Sequence, residues 1–348
     1  MFDCLIFFQS FYFKNFKEGD MEFDQDQWIV ITGGAGFIGS GVVRYLNDQG
    51  LKNLVIVDEL RRTEKWKNLV GKQFSDVLLK SQLFDWLKGK ESLVGAFIHL
   101  GACSDTMETD ANYLLENNYR YSVRLAEYAL KHDQRLIYAS SAATYGDGSQ
   151  GFRDDHQQLF ELQPLNMYGF SKQMFDQWAF NEGILDQIVG LKYFNVFGPN
   201  EAHKGRMASA ITRMVQQILK GEKVKLFKST DPSRFADGEQ KRDFIYVKDA
   251  VRMTCAFLTN SASGIYNIGS GRASTWNELA HAVYKALEIP PQIEYMDMPA
   301  ELVNKYQNYS RADMSKTVTV LKEATQCLSL EAAVSDYVRQ YLIQGKTW

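Results

Sequence analysis

Tyr168 and Lys172 stand four residues apart in Tyr168-Gly-Phe-Ser-Lys172. On a helix that spacing places both side chains on one face. The pair suits proton transfer. A phenol titrates near 10 and is a poor base at neutral pH, but a neighbouring ammonium stabilises the phenolate and lowers that value. The run Arg135 to Ala139 reads as a strand and ends in Ser140-Ser141. A hydroxyl there, Ser141, can hydrogen-bond a substrate oxygen. A Tyr-x-x-x-Lys pattern alone occurs on many helices, so its weight depends on what precedes it.

What precedes it is a phosphate-binding pattern. The β-prone run Trp28-Ile-Val-Ile-Thr32 leads directly into Gly33-Gly-Ala-Gly36-Phe-Ile-Gly39. From Ser40, Val42, Val43 and Leu46 recur at helical spacing until Gly50. In a strand–turn–helix unit of this kind, Gly33 permits the tight turn and Gly36 lets the backbone approach a pyrophosphate. Gly39 lets the helix pack close, and the helix N-terminus attracts the phosphate charge. A second run, Leu54 to Val57, ends in Asp58, 19 residues past Gly39. A carboxylate at that distance can hold a ribose hydroxyl. Asp58 alone suggests NAD. Arg61, Arg62 and Lys65 in the same loop could neutralise a 2′-phosphate, so composition leaves NAD or NADP open.

These groups need a scaffold that brings strand ends to one edge. Further runs, Ala96 to Leu100 and Arg135 to Ala139, alternate with helical stretches. That alternation predicts an α/β fold, a Rossmann-type doubly wound parallel sheet with its crevice at the strand ends.

Composition narrows the function classes. The chain has 348 residues, of which 45% are hydrophobic and 23% charged, so about two soluble domains are expected. The net charge of −3 argues against a basic nucleic-acid-binding surface. The four cysteines form no CxxC pair and the five histidines no HExxH, so no metal site is expected. Few cysteines in a chain this long fit a reducing cytoplasm. The aromatic stretch Met1 to Phe16 is too short and broken for a membrane span of about 20 residues. Residues 1–27 are therefore read as an N-terminal extension outside the fold, and no membrane partner is expected.

The stretches TGGAGFIGS, HLGACSDT, YASSAATYG, PLNMYGFSK, YFNVFGPN and KRDFIYVKD carry a specific likeness. From Trp28 onward the chain resembles the extended short-chain dehydrogenase/reductase family, the NAD(P)-dependent sugar-nucleotide epimerases and dehydratases. Gly101–Thr106, Glu116–Tyr119, Ser140–Gly146 and His203-Lys204-Gly205 before Met207-Ala-Ser209 most resemble its ADP-heptose 6-epimerases.

The resemblance implies inversion of a carbinol carbon of an ADP-heptose, C6″, by transient oxidation to a ketone with a bound cofactor. It also implies a smaller α/β substrate domain, a homo-oligomer (pentamers among similar enzymes), and a place in the supply of lipopolysaccharide core heptose. Ser141, Tyr168, Lys172 and Lys204 become the catalytic group, Lys204 as a second acid/base. Phe37 and Ile38 fall at the pyrophosphate turn, and Asp58 and Glu59 at the adenosine ribose. Lys65 and Lys80 match cofactor-contacting lysines, which favours NADP over NAD. Leu100, Gly101, Ala102, Cys103, Ser104 and Asn117 flank the nicotinamide half, with Lys172 at its ribose and Val196 on the cofactor. Asn195, Arg242 and Tyr306 match substrate positions. Phe227, Lys228, Ser229 and Thr230 fall where relatives touch substrate.

There are departures. Glu59 replaces an amide of some relatives, and Arg206 and Arg213, expected at the substrate, stand where some have Ser and His. The stretch 231–240 is longer than the loop some relatives carry. A UDP-hexose 4-epimerase keeps Ser, Tyr and Lys and needs no second base. A non-catalytic NADP-sensing protein could use the same fold. The expected division is 28–195 with 242–270 for the cofactor, and 196–241 with 271–348 for the substrate. Phe244 to Val247 is expected as a strand beside the main sheet, and Leu330 to Ile343 as one helix.

Overall fold

The computed structural model describes residues 26–303 and 306–348. The expected N-terminal extension lies outside them apart from Asp26 and Gln27. Seven parallel strands form the main sheet. From edge to edge they are Gly264–Ile268, Val189–Tyr193, Arg135–Ser141, Val94–His99, Trp28–Thr32, Leu54–Val57 and Asp76–Leu78.

Alternation along the strands explains the layers. Ile29, Ile31, Leu54, Ile56 and Ile98 bury on one face, while Val30, Val55, Val57 and Phe97 bury on the other. Each face therefore needs a helical cover. The helices Phe37–Asp48 and Val247–Ala256 cover the first, through residues such as Val42, Leu46 and Val251. Tyr121–Lys131 and Met167–Asn181 cover the second, through Leu125, Ala129 and Phe175. Each fully buried Leu or Val contributes about 1.5–3 kcal/mol. The doubly wound Rossmann-type sheet expected from the sequence is present. Its order reverses between Trp28–Thr32 and Val94–His99, so their carboxyl ends open a crevice.

A smaller α/β unit stands at that edge. Val224–Phe227 pairs in parallel with Ile293–Met296, against the helices Ala210–Leu219, Trp276–Leu287 and Leu330–Asp336. Thr275 caps the second of these helices, with Glu278 answering in a capping box.

Two expectations change. Phe244–Tyr246 does not join the main sheet: it pairs in parallel with Asn195–Phe197 as a separate ribbon. The main ladder ends where Phe194 N donates to Ile268 O, and the chain then leaves the sheet. Val247 already begins a helix. The last helix also changes pitch, running α over Leu330–Asp336 and then as a wider π-turn over Tyr337–Leu342.

The edge strand is closed by side chains. Ile265 N donates to His156 Nε2 and Asn267 N to Asp154 Oδ2, while Lys316 Nζ and Thr317 Oγ1 donate to the carbonyls of the same two residues. Such capping blocks further strand addition. Among the described residues no helix is long and apolar enough to cross a membrane, and no cluster of three His, Cys, Asp or Glu side chains could hold a metal.

Candidate active site

A cavity of about 700 Å³ opens at the carboxyl ends of the strands. The glycine turn forms its floor. Gly33 has a φ of +68°, and a Cβ there would lie 2.8 Å from Gly101 N. A Cβ on Gly39 would lie 2.1 Å from Gly33 O. Only hydrogen atoms fit at these positions, so backbone rather than side chains faces the cavity, as a pyrophosphate cradle requires. Gly36, Phe37 and Ile38 line it beside them.

Asp58 is buried behind the turn, and both oxygens are engaged. Oδ2 accepts from Ala35 N at 3.0 Å, and Oδ1 accepts from Glu59 N at 2.7 Å and Lys65 Nζ at 2.9 Å. The carboxylate thus buttresses the turn and fixes a cation at the cavity wall. Glu59 and Lys80 also line the cavity, Lys80 donating to Asn117 Oδ1 at 2.6 Å. Leu100, Gly101, Ala102, Cys103 and Ser104 line the next strand end, and Asn195 and Val196 a third.

The side chains suited to proton transfer, Ser141, Tyr168 and Lys172, face this space. Ser141 ends its strand, and its Oγ accepts from Ala143 N at 3.1 Å. Tyr168 and Lys172 both lie on Met167–Asn181, whose N-cap Asn166 accepts from Gly169 N at 2.8 Å. Burial raises the Tyr168 phenol, and the Ser141 contact opposes this. Burial lowers Lys172 to about 8, opposed by Asp176. Lys172 Nζ donates to Ala139 O at 2.7 Å. Near pH 7 the pair therefore rests as a neutral phenol beside an ammonium. The phenol is an acid ready to donate, and the ammonium lines the same cavity.

Lys204 approaches from a different wall. Its loop is pinned by Glu201, which accepts from Ser209 N at 2.7 Å and Tyr337 OH at 2.8 Å. Lys204 Nζ lies 5.4 Å from the centre of the Phe37 ring. Burial lowers its pKa, with Glu201 opposing. His203 lines the cavity too, and no sequence pattern singled it out as a site residue. Burial, Lys65 and Lys204 lower it to about 4, so it is neutral at pH 7.

Other expected residues do not line this cavity. Arg206 is exposed and pairs with Asp105 at 3.0 Å on the rim. Arg213 points to solvent from Ala210–Leu219. Phe227 and Arg242 instead meet Tyr306, the Phe227 ring edge-on at 6.3 Å and the guanidinium over the ring at 4.8 Å. Lys228 pairs with Asp297 at 3.0 Å, Ser229 N donates to Asp237 Oδ1 at 2.8 Å, and Thr230 Oγ1 meets Asn308 at 3.4 Å. Arg242 is buried and donates to Lys241 O at 2.9 Å. Its neighbour Asp243 is taken by the backbone of Ser270, Gly271 and Ala312.

Residues 29–269 match the NAD dependent epimerase/dehydratase family. The chain is 49% identical over 319 residues to the ADP-L-glycero-D-manno-heptose-6-epimerase of Nitratidesulfovibrio vulgaris (strain DP4), covering 90% of this chain and 97% of that protein. It is 44% identical over 332 residues to the enzyme of the same name from Fusobacterium nucleatum, covering 92% and 99%. The crystal structure of the Helicobacter pylori ADP-L-glycero-D-manno-heptose-6-epimerase matches with a TM-score of 0.76 at 28% identity, covering 92% and 98%. UDP-glucuronic acid 4-epimerase from Bacillus cereus, solved with UDP-glucuronic acid and NAD, shares the fold with a TM-score of 0.72 at 24% identity, covering 90% and 99%. With the glycine cradle, the buttressing acid and the Ser-Tyr-Lys group at one sheet edge, the chain belongs to the NAD dependent epimerase/dehydratase family.

Proposed function

We propose that the protein converts ADP-D-glycero-β-D-manno-heptose to ADP-L-glycero-β-D-manno-heptose by inverting C6″, as a step in lipopolysaccharide core supply. Its relatives bear that activity in their names at up to 49% identity over nearly their whole length. The observation that carries the mechanism is the pair Tyr168 and Lys204, two acid/bases on separate walls of one cavity.

The cofactor is NADP, with NAD as the weaker ligand. The turn at Gly33, Gly36 and Gly39 would hold its pyrophosphate, Lys65 a 2′-phosphate, and Lys172 the nicotinamide ribose. Held there, the nicotinamide would supply a hydride acceptor that is also the donor for the return, so that no net oxidation results. Inversion needs the ketone to offer its opposite face on the return. Its oxygen then sits in a new place, out of reach of the group that first handled the hydroxyl proton. Tyr168 and Lys204 divide that work, one accepting the hydroxyl proton and the other supplying a proton to the ketone oxygen. Ser141 hydrogen-bonds the reacting oxygen beside Tyr168.

Arg242, buried without a carboxylate partner among the described residues, suits the substrate diphosphate, where a guanidinium binds two oxygens at once. Residues 28–195 with 242–270 serve the cofactor, and 196–241 with 271–348 the substrate. The working form is a cytoplasmic homo-oligomer, which sedimentation of the purified protein tests.

Lys204→Met tests the two-base reading. Conversion should fall by about 100-fold or more, the usual weight of a positioned acid/base. A variant that keeps full activity would leave Tyr168 as the sole base and contradict the reading.

A further inference from the structure

A buried carboxamide joins two walls of the cavity. Asn68 lies in the turn Glu64–Leu69 and is 4% exposed. Its Nδ2 faces three acceptors: Ala35 O at 3.0 Å, Asn200 O at 3.1 Å and His203 Nδ1 at 3.2 Å. Ala35 belongs to the glycine turn. Asn200 and His203 belong to the loop that carries Lys204. The amide orientation is dictated, because the opposite one would aim Oδ1 at two carbonyl oxygens. Two hydrogens serve three acceptors, so one is shared.

The chemistry at His203 follows. Taking a hydrogen from Asn68, Nδ1 accepts, and the ring hydrogen then sits on Nε2. Asn200 adds a second tie. It holds a φ of +75°, and its Nδ2 donates to Ser40 Oγ at 3.0 Å, on the helix that follows the glycine turn. The loop is thus bonded to the cofactor turn from both Asn68 and Asn200.

We infer that Asn68 is a positioning residue that locks the His203–Lys204 segment to the glycine turn. The pyrophosphate cradle and the second acid/base then form one rigid unit. This rests on the reading of Lys204 as an acid/base. The groups facing Lys204 are Glu201, His203 and the Phe37 ring; those facing His203 are Lys65, Lys204 and Asp58.

The test uses Asn68→Ala and Asn68→Leu, the latter filling the volume without donors. Lys204 is labelled with an amine-reactive reagent across pH and followed by peptide mass spectrometry, alongside kcat and KM. A freed Lys204 gains water, so its labelling midpoint should move up towards ordinary lysine. The kcat should fall by on the order of ten- to a hundred-fold, as misplacement of a reacting group by about 1 Å does, with KM changed far less. An unmoved midpoint and unmoved kcat in a folded variant would overturn the proposal. If instead the midpoint moves while Lys204→Met keeps full activity, the positioning stands and the two-base reading fails. The native protein supplies an independent measurement. The ¹⁵N shifts of His203 should report hydrogen on Nε2, and hydrogen on Nδ1 would overturn the proposal.

Discussion

Lys192 Nζ lies 2.8 Å from Asp176 Oδ2, and both side chains are sealed from water. The same carboxylate accepts from Ser140 Oγ at 2.7 Å and Tyr138 OH at 3.0 Å, and Lys192 also donates to Thr144 Oγ1 at 2.6 Å. The strand end that carries Ser141, the turn after it and the helix that carries Lys172 therefore meet on one buried ion pair. Removing one partner leaves the other charge uncompensated. Asp176→Asn or Lys192→Met should cost about 3–5 kcal/mol of stability, read by urea unfolding. A loss below 1 kcal/mol would mean that water already reaches the pair.

The glycine turn gives a sharper local test. A Cβ on residue 39 would sit 2.1 Å from Gly33 O and 2.8 Å from that carbonyl carbon, both backbone atoms with no freedom to yield. Gly39→Ala should weaken NADP binding by more than tenfold while the chain still folds. Unchanged affinity in a fluorescence titration would show that the turn does not cradle the pyrophosphate.

Lys65 should govern the choice of cofactor, since Asp58 holds its ammonium at the cavity wall. Lys65→Ala should weaken NADP by about 10- to 100-fold, the worth of a hydrogen bond to a charged group, and leave NAD nearly unchanged. Equal losses for both cofactors would place the 2′-phosphate elsewhere.

Acid should destabilise the fold through His99. Its Nε2 meets Ser122 Oγ at 2.8 Å. Ser122 gives its own hydrogen to Asn118 O, so His99 donates there and accepts at Nδ1 from Thr32 Oγ1, 2.6 Å away. Burial, then Lys172, lowers His99 to about 3. The unfolded chain takes up a proton below about 6.5 and the native chain does not. Stability should therefore fall as pH drops from about 6.5 towards 3, at up to about 1.4 kcal/mol per pH unit, with no effect above 6.5. Urea midpoints at pH 7.5, 6.0 and 5.0 measure it, and no decline between 6.0 and 5.0 would contradict a neutral native His99.

The sheet was legible because glycine spacing, alternation and strand-end residues are local signals. Gly33 to Gly39, Asp58, Ser141 and the Tyr168–Lys172 pair each announce themselves within a few residues. Pairing between distant segments is not local. Phe244 to Tyr246 reads as an apolar strand, yet nothing in those residues reveals that Asn195–Phe197, rather than the main sheet, supplies the partner. Arg206 and Arg213 occupy plausible places in the sequence, but loop path and helix phase turn both outward. Asn68 and His203 are single polar residues whose partners lie 33 to 135 positions away, so only folding shows what they do.

Cofactor-loaded protein is given ADP-D-glycero-β-D-manno-heptose carrying deuterium at C6″, with no added reductant, and the product is read by NMR. The proposed inversion by internal oxidation and return predicts ADP-L-glycero-β-D-manno-heptose that keeps the label at C6″ and takes none from solvent. No conversion by intact, loaded enzyme, or product with the label washed out, would contradict it.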